Sequence, residues 1–183
     1  MRRTWVVLAA LLLLAGCGTS ATPQARPSHE PVWFARCPTP SGPATAKPTA
    51  PAVTLPCFTG GASVPLNRAY GKPTVVNLWA SWCEPCRREL PEIQRYATAH
   101  PDVVVLTVDT KDTRTAGLSF ARDAKVRLPT LFDPDRALLT GVGRSALPVT
   151  LLVDGRGRLV ETYNGTALTA DSLDRMVTGK LKP

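Results

Sequence analysis

Thr74-Val75-Val76-Asn77-Leu78-Trp79-Ala80-Ser81-Trp82-Cys83-Glu84-Pro85-Cys86-Arg87 is the stretch that decides the fold. Its first seven residues, rich in β-branched side chains and free of charge, read as a buried strand. A helix is expected to follow, with Ser81 as candidate N-cap, and to run to about Ala99. At helical spacing its core-facing positions are Cys86, Leu90, Ile93 and Ala97, while Arg87, Arg88, Glu92 and Arg95 face water. Pro91 lies inside this pattern and predicts a kink. Two thiols thus sit where a strand gives way to a helix, on one face and one turn apart. Such a pair can close a small disulfide ring and reopen it. The N–H groups at a helix N-terminus favour negative charge, so Cys83 there is a better thiolate than a free cysteine. A thiolate attacks disulfides, and a neighbouring thiol releases the mixed disulfide that results.

Downstream, residues 103–108 form a second buried-strand run ending at Asp109. A helix over 116–124, a short strand over 128–132 and a short helix over 136–140 are expected next. Residues 148–153 are a third strong strand, Asp154-Gly155-Arg156-Gly157 is turn chemistry, and 158–163 returns as a hairpin partner. Thr169 or Asp171 caps a last helix through about Leu181. This order describes an α/β fold, a mixed sheet with helices on both faces.

Upstream, residues 1–16 read as an export signal: Arg2 and Arg3, then an apolar stretch of 11 residues over 5–15. That stretch is too short for a membrane span, which needs about 20 residues. Leu14-Ala15-Gly16-Cys17 resembles the lipobox of bacterial lipoproteins, which implies a lipid on Cys17; in an ordinary signal peptide Cys17 would be incidental. Residues 17–52 hold eight prolines and read as an extended tether with an apolar island, Val32-Trp33-Phe34, expected to pack back on a domain over 53–183. Without Cys17 four of the five cysteines remain, allowing three pairings. Spacing pairs Cys83 with Cys86 and leaves Cys37 with Cys57, a loop worth about 3 kcal/mol; the alternative is that these two stay free and buried. An exported chain lives where disulfides persist.

Composition narrows the classes. At 183 residues and 44% hydrophobic, the chain can bury a core. Its net charge of +8 comes without a basic block interleaved with aromatics, which argues against nucleic acid and for a solvated basic surface near an anionic membrane. His29 and His100 lie near no motif and no second Cys-x-x-Cys exists, so no metal is expected. A thiol peroxidase needs a lone peroxidatic cysteine in a Thr-x-x-Cys setting; Cys57, which follows Thr54 at that spacing, is expected to pair with Cys37 and not to stand alone.

The segment from Val76 through Trp82-Cys83-Glu84-Pro85-Cys86 to Pro91 resembles the active site of the TlpA/ResA-like thiol–disulfide oxidoreductases, within the thioredoxin superfamily. Ala146-Leu147-Pro148-Val149-Thr150, with its proline 62 residues after Cys86, resembles the thioredoxin cis-proline loop. The resemblance covers about 53–181 and implies a thioredoxin-like fold. It makes Cys83 the attacking thiolate, Cys86 the resolving thiol and Leu147–Pro148 a cis bond whose loop pairs with a client's extended chain. Read alone, Pro148 would be a trans proline opening a strand. Thioredoxins proper carry a buried Asp where this chain has Asn77; several ResA-like proteins carry a Glu at the position of Glu89. Glu89 is therefore expected to be partly buried with a raised pKa and to take a proton from Cys86, the alternative being an exposed helix Glu. Glu84, between the cysteines, limits the fall of the Cys83 pKa and leans toward a reductant. Trp82 is expected at the rim and Trp79 in the core.

The function implied is an oxidoreductase without cofactor, monomeric and lipid-anchored to the outer face of the bacterial cytoplasmic membrane. It reduces disulfides of exported proteins, apocytochrome c among them, with electrons from a membrane thiol transporter of the DsbD/CcdA type. The alternatives are an oxidant of newly exported thiols and a redox-inert binding lipoprotein or metallochaperone.

Overall fold

A computed structural model describes residues 33–181; the residues read as an export signal, and Cys17, lie outside them. Along the chain the elements are β1 (Gly42–Pro43), β2 (Thr54–Leu55), β3 (Val64–Pro65), β4 (Arg68–Ala69), β5 (Thr74–Trp79), α1 (Glu84–Ala99), β6 (Val104–Thr110), α2 (Arg114–Asp123), β7 (Thr130–Asp133), α3 (Ala137–Gly141), β8 (Val149–Val153), β9 (Leu159–Tyr163) and α4 (Ala170–Leu181). Five strands form one mixed sheet in the order β7-β6-β5-β8-β9, parallel from β7 to β5 and antiparallel beyond it. All six residues of the central strand β5 are buried, because a strand in the middle of a covered sheet has no wet face.

Side chains alternate across the sheet. Val75 and Trp79 join one core with residues of α1, α2 and α4; Val76 and Leu78 join another with Leu138 and Leu139 of α3 and with Leu55 and Val64 of the small β2–β3 ribbon. Parallel strands need a crossover, and α1 between β5 and β6 supplies it.

Helix α1 starts later than its expected cap. Cys83, not Ser81, is the N-cap: it has extended dihedrals (φ −85°, ψ 104°) and its sulfur accepts a hydrogen bond from Cys86 N at 3.3 Å. Ser81 is held from outside the helix, its N–H donating to Asp112 Oδ2 and its carbonyl accepting from Arg87 Nη1. Pro85 is tolerated in the first turn, where N–H groups lack intrahelical acceptors. The helix continues through Pro91 without a break. Its buried residues are Cys86, Glu89, Leu90, Ile93 and Tyr96; Ala97, expected inside, is only half-buried. Both 96 and 97 border the apolar stripe, and the larger Tyr96, stacked on His100, takes the inward place.

Residues 33–52 belong to the same compact unit as the rest of the described chain. With the chain through Phe58, they line both edges of the sheet. Beside β7, Cys57 bridges Leu131, Phe58 N donates to Thr130 O, and Phe132 N donates to Pro56 O. The pass containing Phe34 and Cys37 lies next to it, with Ala35 N on Arg127 O. At the other end Thr45 N donates to Arg156 O and Leu159 N to Pro48 O. Proline removes donors from a chain, so such a segment can cover an edge without offering a fresh strand to a neighbour. Among the described residues no helix is long and apolar enough to cross a membrane.

Candidate active site

Where β5 ends and α1 begins, the turn Ala80 to Cys83 is closed by Cys83 N on Ala80 O. Cys83 and Cys86 are joined, their Cα atoms 5.2 Å apart. Cys83 keeps 4% of its surface and Cys86 1%, so the N-cap cysteine is the more accessible of the two. Beside them Trp82 is 57% exposed, its Nε1 donating to Lys111 O, while Trp79 is fully buried against Phe120. Glu84 is paired with Arg88 on the outer face of the helix at 2.8 Å, and both are exposed.

Leu147–Pro148 is cis. The register pairs Leu78 with Val149, so Pro148, at the entrance of β8, adjoins the end of β5 that leads to Cys83. Asn164 fastens this loop from behind, its Nδ2 donating to Ala146 O at 3.2 Å and to Pro148 O at 2.6 Å. A sequence reading places Asn164 in a hairpin exit and gives it no role; only the fold brings it to the proline.

Glu89 is 1% exposed. Its Oε1 accepts from Asn77 Nδ2 at 3.0 Å and from Thr150 Oγ1 at 3.4 Å, and Asn77 also donates to Thr150 Oγ1. Asn77 and Thr150 are register partners on β5 and β8, which is why two strands meet on one carboxyl. Burial pushes the Glu89 pKa up to about 7, against the lowering effect of its hydrogen bonds to Leu168, Thr150 and Asn77. A carboxyl that changes protonation near neutrality, one turn beyond Cys86, can hold or release a proton there.

A second buried acid was not visible as such in the sequence. Asp109, read as a strand end, is fully buried, and burial followed by the neighbouring Asp112 raises its pKa to about 8, with Arg114 opposing. It fits because Gly117 of α2 has no side chain: a Cβ there would lie 2.1 Å from Asp109 Oδ2. The only sequence signal was a carboxylate closing an otherwise apolar run. Asp112 in turn holds Ser81 N at 2.6 Å, so this acidic pair braces the loop before Trp82.

Cys37 and Cys57 are also joined, away from these groups at the β7 edge. Among the described residues no cluster of three or more His, Cys, Asp or Glu could hold a metal ion.

The chain matches the AhpC/TSA family over residues 47–162. It is 31% identical over 110 residues to the thiol-disulfide oxidoreductase ResA of Bacillus subtilis, covering 59% of this chain and 62% of that one. It is 28% identical over 132 residues to the sporulation thiol-disulfide oxidoreductase A of the same organism, covering 69% and 79%. Among solved structures, MTB dsbF superposes with a TM-score of 0.66 at 27% identity, covering 73% of this chain and 98% of that one. StoA from Bacillus subtilis gives 0.58 at 26%, covering 68% and 98%. With a match spanning well over half its length and these neighbours in space, the chain belongs to the AhpC/TSA family and has a thioredoxin-like fold.

Proposed function

We propose that the chain is an extracytoplasmic thiol–disulfide oxidoreductase that reduces disulfides of exported proteins. The observation that carries this reading is the Cys83–Cys86 pair at a helix N-terminus, with a backbone N–H on the Cys83 sulfur and a buried acid one turn beyond. In the reduced enzyme, the Cys83 thiolate attacks one sulfur of a client disulfide. That bond breaks, the client's other sulfur leaves as a thiolate and takes a proton, and a mixed disulfide remains. Cys86 then gives its proton to the Glu89 carboxylate and attacks Cys83. The client's second sulfur leaves with the electron pair, and two electrons have passed to the client as Cys83–Cys86 closes. The loop at Pro148 holds the client's extended backbone beside the reacting sulfurs, and the exposed ring of Trp82 gives it an apolar footing.

The lipobox resemblance of Leu14-Ala15-Gly16-Cys17 supports a lipid on Cys17 holding the domain at the outer face of the membrane, and the resemblance in the active-site segment supports a membrane dithiol transporter of the DsbD/CcdA type as electron source and apocytochrome c among the clients. Insulin reduction tests the activity. Wild type accelerates it and Cys83→Ser does not; equal rates would remove the assignment. Trapping with Cys86→Ser in the native cell identifies the client bound to Cys83.

The opposite direction, oxidation of exported thiols, is favoured by one feature: Arg88 offsets the charge of Glu84, which leaves the N-terminal field on Cys83 less opposed. A potential near that of thioredoxin, about −270 mV, supports the reductant, and one near that of DsbA, about −120 mV, the oxidant.

A further inference from the structure

We propose that the Cys37–Cys57 disulfide is a second exchange site, opened at Cys37 by a low-molecular-weight anionic thiol entering the groove beside it. This goes beyond the reaction at Cys83, from which the site is separate. Cys57 faces Leu131 of β7, which faces Val108 of β6, which faces Leu78 of β5. That is three strand spacings, roughly 14 Å, and Cys57 packs in the core on the side away from α1.

A disulfide that only staples needs no approach. Here Cys37 and Cys57 both line a groove of about 610 Å³, together with Arg36, Thr59 and the Gly60–Gly61 turn. The two sulfurs are unequally placed. Cys57 is 3% exposed and fixed in the ladder beside β7, whereas Cys37 is half-buried on the outer pass. An incoming thiolate therefore reaches Cys37. Its sulfur bonds to that of Cys37, the Cys37–Cys57 bond breaks, and Cys57 leaves with the electron pair and then takes a proton from water. Thr59 Oγ1, 3.1 Å from Cys57 Sγ, can donate to the departing thiolate. A second equivalent of thiol attacks the sulfur it left on Cys37, releasing a symmetrical small disulfide and a Cys37 thiol, for two electrons in all. Arg36 has no ion pair among the described residues and supplies the positive charge that favours an anionic reagent. The fold outlasts the opening, because Phe34 in the core and Ala35 N on Arg127 O hold the outer pass independently.

The test uses the full chain carrying Cys83→Ser and Cys86→Ser, so its result is independent of the activity proposed above. Mercaptoacetate or cysteamine is added at equal thiolate concentration without denaturant, and adducts are mapped by mass spectrometry while tryptophan fluorescence follows the fold. The expected result is an adduct on Cys37, formed roughly threefold or more faster with mercaptoacetate, in a chain that stays folded. Arg36→Gln abolishes the preference, and Thr59→Val slows both reagents. A bond that yields only as the fluorescence reports unfolding, an adduct on Cys57 instead, or equal rates with the two reagents would overturn the proposal.

Discussion

The two disulfides of this chain occupy opposite situations. Cys83–Cys86 spans three residues at the mouth of a helix, on the side of the sheet covered by α1, α2 and α4. Cys37–Cys57 spans 20 residues and ties two passes of chain to a sheet edge. The short ring removes less freedom from an unfolded chain, about 2 kcal/mol worth against about 3 kcal/mol for the long one. Their surroundings differ as well. The first has a backbone N–H on its outer sulfur and a buried carboxyl of raised pKa nearby; the second has a threonine hydroxyl on its inner sulfur and an arginine at its groove. One setting handles protons, and the other holds an edge and draws anions.

Four variants sharpen or break this contrast. Cys83→Ser has the largest expected effect: insulin reduction falls to background while urea unfolding changes by about 2 kcal/mol at most, less than the long loop contributes. A large loss of stability would make the active ring a staple as well.

Glu89→Gln comes next. Insulin reduction falls roughly tenfold or more, and its pH–rate profile loses the inflection near 7 that the raised pKa of Glu89 gives wild type. Stability changes in a definite direction. The folded carboxyl binds a proton that the unfolded one releases near 4.5, so this contribution is complete below that pH and is lost as pH rises through about 7. Wild type should lose roughly 3 kcal/mol over that interval from this group, and the Gln variant should not. Identical pH profiles would leave Glu89 without a role in proton transfer.

Third, Cys37→Ser with Cys57→Ser should lower stability by about 3 kcal/mol in urea yet leave insulin reduction by the folded protein within about twofold, the two disulfides being separate sites. Coupled loss of activity would merge the two regions into one. The smallest effect is expected at Asn164→Ala: about 1 kcal/mol of stability and a severalfold higher KM for a protein client. Turnover of a small disulfide should be unchanged, because only an extended chain uses the loop that Asn164 fastens.

The sequence made the first region legible and the second only partly so. Thr74 to Cys86 combines a buried run, a turn and a thiol pair within a few residues, so its chemistry depends on local spacing. The position of Glu89 one turn after Cys86 was equally local, but its depth was not: Asn77 and Thr150 meet it only because β5 and β8 are register partners. The same holds for Asn164 at the proline loop and for Asp109 above Gly117, both created by contacts between distant segments. Around Cys37, prolines announce an extended chain without saying what it lies against. The β7 edge and the β8–β9 hairpin supply the acceptors and donors that draw residues 33–52 into the compact unit. Ser81 fails as a cap because it lies inside the Ala80–Cys83 turn, which delays the helix until the Cys83 sulfur, two residues on, accepts from Cys86 N and caps it.

A redox titration of the intact chain, reading the thiols of Cys83 and Cys86 by alkylation, tests the central claim most directly. Reversible closure in a single two-electron step near the potential of thioredoxin, about −270 mV, is the predicted result. A pair that stays joined under reducing buffer in the folded protein, or that never re-forms once opened, would contradict it.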